Sequence, residues 1–282
     1  MFVLLQSSCR DGQQSGKYLY CFVDSSRDFG AVVLRVTHSG PRDGPDAPIA
    51  NIGVCSAIRL PDGFCYISSI PGQHGCKVMT TYKLTYFDFD GGRGEPLRIA
   101  LHAAGIDFED HRISFEEFQK TRSKLRFTCV PVMEIDGAPV TQSNALGRFI
   151  GKMAGLYPDD PLQALYCDEV MEALEDLSHQ VVKTFGLEGD ELREARAKLT
   201  DNWLTVFIRG FDELLARGGG RYFADERLTM ADLKAFVQIR SLRKGTLDHV
   251  PKDLVDTLAP ALVDYQARIA AEPIVETYYA GR

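Results

Sequence analysis

Tyr86 is the residue whose type and position most clearly suggest chemistry. It lies near the end of Tyr82–Phe87, a run typical of a β-strand, and directly before a glycine-rich turn at residues 88–94. A phenol keeps its proton at neutral pH because its pKa is about 10, so it can donate a hydrogen bond to an anion. A tyrosine in the core of a strand is the alternative interpretation of this position.

The residues after the turn predict a strand–helix–strand unit. A helix is expected from Glu95 to a stop at Gly105. The next strand is predicted over residues 108–113. Ser114 and Glu117 then have the spacing of a capping box, which indicates a short helix.

A β-hairpin is predicted next. Val130-Pro131 precedes a strand at residues 132–135, and Asp136-Gly137 is a strong signal for a two-residue hairpin turn. A short partner strand at residues 139–141 begins with proline, which places it at an edge of the sheet. A helix over residues 143–154 completes the order of a thioredoxin-like domain, which we assign to residues 80–157.

The remainder of the chain, residues 161–282, predicts helices only. Apolar residues recur at helical spacing, and Thr229 with Asp232 forms a second capping box. The predicted fold class is therefore α/β plus all-α: a thioredoxin-like N-terminal domain followed by an all-helical C-terminal domain.

Residues 1–79 form a different kind of sequence. They contain no Glu and five of the seven cysteines, and their only strand-like runs are residues 18–23 and 31–36. We expect a weakly ordered N-terminal extension. Met79 resembles a native start directly before the first clear strand pattern, which favours a dispensable extension. A regulatory or targeting segment is the alternative.

Composition excludes several classes of function. The net charge of −7 without any block of like charges argues against nucleic-acid binding. No apolar run approaches the roughly 18 residues that cross a membrane, so we expect a cytoplasmic protein with no membrane partner. An odd number of cysteines and no Cys-x-x-Cys pair indicate neither a disulfide framework nor a metal site.

The predicted architecture and four local strings resemble the cytosolic glutathione transferases, most closely the sigma class. The resemblance runs from Tyr82 to the C-terminus and leaves out residues 1–80. The strings occur in the family's order: Tyr82-Lys83-Leu84-Thr85-Tyr86-Phe87 followed by Arg93-Gly94-Glu95, then Val130-Pro131, Gln142-Ser143-Asn144-Ala145, and Thr-x-x-Asp at Thr229.

This resemblance implies that Tyr86 holds the sulfur of glutathione as a thiolate. The model thiol pKa of about 8.5 leaves only a few per cent of thiolate near neutrality. Lowering it by about two units requires roughly 2.7 kcal/mol, which a charge-assisted hydrogen bond plus a helix N-terminus can supply. Arg93 matches the family's arginine near the catalytic tyrosine, although a solvated surface charge is an equal alternative.

The resemblance also implies the residues that bind glutathione. Val130 and Pro131 match a cis-proline step whose backbone pairs with the cysteinyl part, and a strand-starting proline is the alternative. Gln142 and Ser143 match the segment that grips the γ-glutamyl end, with Ser143 as helix N-cap; Ser143 as a cap alone is the alternative. Asp176 matches a carboxylate that reaches the partner subunit's γ-glutamyl amine, and an exposed helix charge is the alternative.

Two positions depart from the family pattern. Related sequences often carry Trp and Lys for the glycyl carboxylate where this chain has Phe118 and Cys129. The Phe118 side chain has no N–H to donate, and the Cys129 side chain carries no positive charge. We therefore expect Arg122 or Lys124 to hold that end of the peptide.

The implied function is conjugation of glutathione, as co-substrate and without a cofactor, to small apolar electrophiles by a homodimer. A glutathione-dependent isomerase of the prostaglandin-synthase kind is one alternative, and a catalytically silent glutathione- or ligand-binding protein is another. Phe89, His179 and Lys234 are candidate neighbours of the electrophile.

Overall fold

The computed structural model describes residues 80–281 and, before them, the backbone of four short strands. These strands are β1 (Phe2–Gln6), β2 (Tyr18–Phe22), β3 (Ser56–Arg59) and β4 (Cys65–Ser68), and they form two antiparallel pairs, β1 with β2 and β3 with β4. Strand β2 matches the run predicted at residues 18–23, whereas β1, β3 and β4 were not predicted. The rest of the extension, including the strand predicted at residues 31–36, lies outside the described residues. The chain divides into two compact units, Met1–Thr80 and Thr81–Arg282.

The second unit opens with a mixed four-stranded sheet in the order β6-β5-β7-β8. Its strands are β5 (Tyr82–Phe87), β6 (Glu109–Ile113), β7 (Val132–Ile135) and β8 (Ala138–Thr141). Strand β5 pairs in parallel with β6 and antiparallel with β7, and β7 pairs antiparallel with β8. This confirms the thioredoxin-like domain. Strand β5, which carries Tyr86 near its end, is an inner strand between β6 and β7.

Local signals in the sequence explain these connections. Helix α1 (Glu95–Ala103) crosses from β5 to β6, and α2 (Phe115–Thr121) follows β6. The predicted capping box of α2 is present, since the Ser114 side chain accepts from the Glu117 N–H and the Glu117 side chain accepts from the Ser114 N–H. In the β7–β8 turn, Asp136 and Gly137 both have positive φ, at 50° and 79°, as a two-residue hairpin of this sequence requires.

After the sheet the described chain is helical, as predicted. Asp160 caps the long helix α4 by accepting from two backbone N–H groups, and a π-helical turn joins α5 to α6. The helices are α3 (Ser143–Met153), α4 (Pro161–Val182), α5 (Gly189–Leu199), α6 (Thr205–Arg217), α7 (Met230–Lys244), α8 (Leu254–Leu258), α9 (Pro260–Ala270) and α10 (Pro273–Ala280).

Helix α7 joins the helices of the second unit to its sheet domain. It packs against α4 and α9 in the helical part, and against α1 and α3 of the thioredoxin-like part. Its start is fixed by Asp232, which is fully buried and accepts from Thr229 N, Thr229 Oγ1, Phe223 N and the Tyr265 hydroxyl at 2.8–3.1 Å. The second predicted capping box is therefore confirmed.

Candidate functional site

Tyr86 is buried at the end of β5, and its hydroxyl faces the glycine-rich turn. Its side chain is 4% exposed and packs with Phe118 and Val130 in a small apolar cluster. The Arg93 backbone N–H donates to the Tyr86 hydroxyl oxygen at 2.9 Å. Because the oxygen accepts this bond, the hydroxyl hydrogen is left to be donated elsewhere. Burial raises the pKa of Tyr86 above its ordinary value of 10.0, so the phenol is protonated at neutral pH.

The turn reaches Tyr86 only because it is rich in glycine. A Cβ at position 92 would lie 2.5 Å from the Tyr86 hydroxyl, and a Cβ at position 94 would lie 2.3 Å from the ring carbon Cδ1. Gly92 also has a φ of +61°, which disfavours other residues. These two glycines let the backbone close over the ring and aim the N–H of Arg93 at the hydroxyl.

The Tyr86 ring is supported from behind by a buried cation that sequence reasoning missed. Arg98, on α1, is 1% exposed and donates to Asp110 at 2.8 Å and to the Phe87 carbonyl at 3.2 Å. Its guanidinium carbon lies 5.8 Å from the centre of the Tyr86 ring. The sequence did contain a signal for this buried pair. Arg98 lies one turn after Glu95 in the predicted helix, and the next predicted strand contains Asp110.

The segment before β7 lies beside the same cluster. The Val130-Pro131 peptide bond is cis, as the family resemblance implied. Pairing of β7 with both neighbouring strands begins at Val132, so the backbone of Val130 lies outside the sheet ladders. The thiol of Cys129 is free and partly exposed. Arg122 is exposed, with its guanidinium carbon 5.4 Å from the centre of the Phe118 ring.

The start of α3 differs from the prediction. Ser143 was expected to be the N-cap, but the N-cap is Gln142 and the helix begins at Ser143. Gln142 is exposed and has a φ of +78°, which is uncommon for a residue with a side chain and typical of functional sites. The Ser143 hydroxyl donates to Glu175 Oε2 at 2.8 Å instead of capping the helix.

Glu175, on α4, collects three donors from three elements. Arg93 donates to it through Nε, Ser143 through Oγ, and Lys234 of α7 through Nζ at 3.2 Å. Burial by itself raises the pKa of Glu175, but the charges of Lys234 and Arg93 and the bonds from Ser143 and Arg93 outweigh it and lower the pKa to about 2. The carboxylate is therefore ionised at neutral pH and fixes the Arg93 side chain.

The other candidates are placed less centrally. Asp176 is exposed on α4, and its role at a partner subunit stays a prediction. Sequence reasoning missed its neighbour Glu175, which joins the cluster. Phe89 is half exposed, with its ring centre 5.8 Å from that of Tyr86. His179 is exposed, and its Nε2 lies 4.0 Å from Glu175 Oε1. Lys234, a candidate neighbour of the electrophile, is buried in the polar cluster.

The arrangement combines a protonated phenol, a neighbouring guanidinium and, at Val130, backbone outside the sheet ladders. Such a site can bind and stabilise an anion next to the Tyr86 hydroxyl. Within residues 80–281, no group of acidic, histidine or cysteine side chains is arranged to hold a metal ion. In the same part of the chain no helix is long and apolar enough to cross a membrane.

Comparison with known proteins gives matches over residues 82–282. The family model for the N-terminal domain of glutathione S-transferases matches residues 82–152, and that for the C-terminal domain matches residues 175–282. Glutathione S-transferase 1 of Ascaris suum is 32% identical over 163 residues, which are 55% of this chain and 77% of that protein.

Solved structures give the same result for the fold. Prostaglandin synthase D of Nilaparvata lugens superposes with a TM-score of 0.63 and 27% identity, covering 72% of this chain and 98% of that one. A sigma-class glutathione transferase of Fasciola hepatica has a TM-score of 0.62 at 23% identity, covering 72% of this chain and 97% of that one, and so supports the fold alone.

Proposed function

Since this chain belongs to the glutathione S-transferase family and is a glutathione-using transferase, we propose that Tyr86 activates glutathione as a thiolate for conjugation to small apolar electrophiles. The observation that carries this proposal is the bond from the Arg93 N–H to the Tyr86 oxygen at 2.9 Å. It fixes the hydroxyl and leaves the hydrogen free to be donated to a sulfur anion. Burial raises the pKa of Tyr86, so the phenol acts as a donor and not as a base.

The reaction needs no redox partner. The thiol of glutathione loses its proton to solvent, and the thiolate sulfur attacks an electrophilic carbon. For an aryl halide a C–S bond forms, the C–halogen bond breaks, and the halide leaves with the electron pair. Tyr86 stabilises the thiolate throughout, because its O–H donates to the anion more strongly than to a neutral thiol.

Glutathione binding is assigned to groups around the same edge of the sheet. The backbone of Val130, next to the cis proline Pro131, lies outside the ladders and is free to pair with the cysteinyl residue. Gln142 and the first N–H groups of α3, beginning at Ser143, are assigned to the γ-glutamyl carboxylate, since a helix N-terminus favours an anion.

The glycyl carboxylate is assigned to the side of the cluster that holds Phe118. The Arg122 guanidinium lies over the Phe118 ring, so the ring positions a cation at this end of the site. Related sequences often supply this cation as Lys. Lys124, also exposed, is the second candidate at this end. Replacing Arg122 with Met should raise the glutathione concentration needed for half-maximal turnover more than replacing Lys124 does.

We assign Asp176 to the partner subunit's γ-glutamyl amine in a twofold-symmetric dimer. Its support is the exposure of Asp176 on α4 beside the buried Glu175, which leaves it available to a second chain. Light scattering at micromolar concentration should give twice the chain mass, and a one-chain mass would remove this role. We assign the dimer to the cytoplasm. Its functional domains are residues 80–157 and 161–282, and the extension at residues 1–79 is dispensable for activity.

Turnover of a generic aryl halide with glutathione tests the proposed function. A transferase consumes glutathione and releases halide in equal amounts. A silent binding protein binds glutathione and consumes none. The likeness to prostaglandin synthase D of Nilaparvata lugens favours a second candidate, a glutathione-dependent isomerase, which converts its substrate with no net consumption of glutathione.

A further inference from the structure

Lys234 is a buried cation beside the Tyr86 site. Its side chain is 8% exposed, and its ammonium group has three acceptors: the Asn144 side-chain oxygen, Glu175 Oε2 at 3.2 Å and the Met171 carbonyl at 3.4 Å. A buried ammonium is stable only when it is paired and hydrogen-bonded. Burial lowers the pKa of Lys234 and the charge of Glu175 opposes that. All three neighbouring groups are acceptors, as an ammonium group requires.

Lys234 changes the charge that the Tyr86 site presents. Glu175 pairs with two cations, Arg93 from the turn and Lys234 from α7. With Arg93 alone, the carboxylate would cancel the guanidinium, and the corner around the Tyr86 hydroxyl would be neutral. With both cations present, one net positive charge remains.

The other charged groups around Lys234 form a second set of ion pairs, which has one net negative charge and reaches Lys234 through Asn144. Glu172, on α4, is bonded to Arg148 at 2.5 Å and to the Asn144 amide at 2.8 Å. Arg148 in turn pairs with Asp168 at 2.8 Å. His179 is exposed and lies 4.0 Å from Glu175. The Glu172 charge acts on Lys234, whereas the charges that act on the Tyr86 hydroxyl are those of Arg93, Glu175 and Arg98. The balance between Arg93 and Glu175 therefore sets the charge next to Tyr86.

We propose that Lys234 is a positioning residue that sets the charge of the thiolate site: by neutralising Glu175 from α7, it leaves the charge of Arg93 available to the anion beside the Tyr86 hydroxyl. This inference rests on the proposed function. It makes α7, a helix of the second domain, part of glutathione activation in the first. It also assigns the site a preference for anions over neutral ligands of the same shape.

The test is the pH titration of glutathione bound to Lys234→Gln and to the double variant Glu175→Gln, Lys234→Gln. Loss of the lysine charge alone leaves Glu175 to cancel Arg93, so the thiol midpoint should rise by about one pH unit. In the double variant the carboxylate is gone as well, and the glutamine that replaces it can still accept from Arg93. The net charge is restored, so the midpoint should return close to the wild-type value.

The control is Lys198→Gln, because Lys198 is exposed on α5 and pairs only loosely with Glu194, at 4.0 Å. It changes the net charge of the chain equally and should leave the midpoint unchanged. An unshifted midpoint in Lys234→Gln, or an equal shift in the single and double variants, would overturn the proposal, because a purely structural role gives no rescue. If Lys234→Gln does not fold, Lys234→Met supplies the single variant.

Tyr86→Phe, measured in parallel, distinguishes a failure of the Lys234 proposal from a failure of the proposed function of Tyr86. If Tyr86→Phe raises the midpoint and Lys234→Gln does not, only the role of Lys234 fails. If neither variant raises it, the thiolate function of Tyr86 fails too.

Discussion

Removing the hydroxyl of Tyr86 is the most direct perturbation of the proposed site. Tyr86→Phe deletes one oxygen and leaves the ring, which is 4% exposed and packed against Phe118 and Val130. Apolar packing is therefore retained. Two hydrogen bonds are lost: the one from the Arg93 N–H and the one that we assign to the thiolate.

The two losses have different sizes and different readouts. The Arg93 N–H loses its acceptor in a partly buried turn, which should lower the free energy of unfolding by about 1 kcal/mol. The bond to the thiolate is charge-assisted and contributes about 1.5–3 kcal/mol, equivalent to roughly one to two pKa units of the bound thiol. From a bound pKa of about 6.5, the thiolate fraction at neutral pH should fall about 3- to 25-fold, and turnover should fall with it.

Ultraviolet absorbance of the thiolate against pH, with glutathione bound, measures the effect. We expect a higher midpoint in Tyr86→Phe, retained glutathione binding, and partial recovery of turnover at high pH. Tyr157→Phe is the matched control, because its hydroxyl donates to Asp168 at 3.0 Å, away from the Tyr86 cluster. Its midpoint should equal that of the wild type. An unchanged midpoint in Tyr86→Phe would refute the proposed role of Tyr86.

Three further changes test the surroundings of the site. Gly94→Ala places a Cβ 2.3 Å from the Tyr86 ring, so it should displace the ring and lower turnover at least tenfold, measured with an aryl halide. Asp232→Ala removes the acceptor of four buried donors and should lower the free energy of unfolding by about 3 kcal/mol or more, measured with urea. Glu175 has a pKa lowered from 4.5 to about 2, so its stabilising contribution should be complete above pH 4.5 and should disappear as the pH falls towards 2.

Each of these changes has a matched comparison. Gly210→Ala adds a methyl group in a helix with no atom within 4 Å, and it should not lower turnover. Asp264→Ala removes an exposed carboxylate from α9 and should change stability by less than about 0.5 kcal/mol. Glu175→Gln should lack the acid-dependent loss of stability between pH 4.5 and 2 that the wild type shows. A parallel decline in both proteins would mean that other carboxylates cause it.

Local sequence signals predicted most of the fold because they act over a few residues. The Asp136-Gly137 turn needs two positive φ angles, and those residue types supply them at low energy. The capping boxes at Ser114 and Thr229 bond across three residues, so their spacing alone identifies the helix starts. The position of Tyr86 at the end of a strand before a glycine-rich turn fits a core tyrosine as well, and the resemblance to the family made it the catalytic candidate.

The prediction that Ser143 caps α3 failed for a reason that lies far away in the sequence. The hydroxyl has a choice between a local backbone N–H and an ionised carboxylate, and a bond to a charged acceptor is the stronger of the two. Glu175, 32 residues further along the chain, provides that acceptor. Gln142 takes the N-cap position with a left-handed backbone, which residue propensities do not predict.

The sequence indicated that Glu175 and Lys234 both face the core, but residue spacing alone could not identify them as partners. Glu175 lies four residues after Met171, on the stripe of α4 that faces the core, whereas Asp176 lies one residue outside it. Lys234 lies within a run of α7 in which every residue from 230 to 237 is buried. A lysine surrounded by apolar residues on its own helix must find a carboxylate on another helix. Only the packing of α4 against α7 identifies that carboxylate as Glu175, and the same packing brings the pair to Arg93.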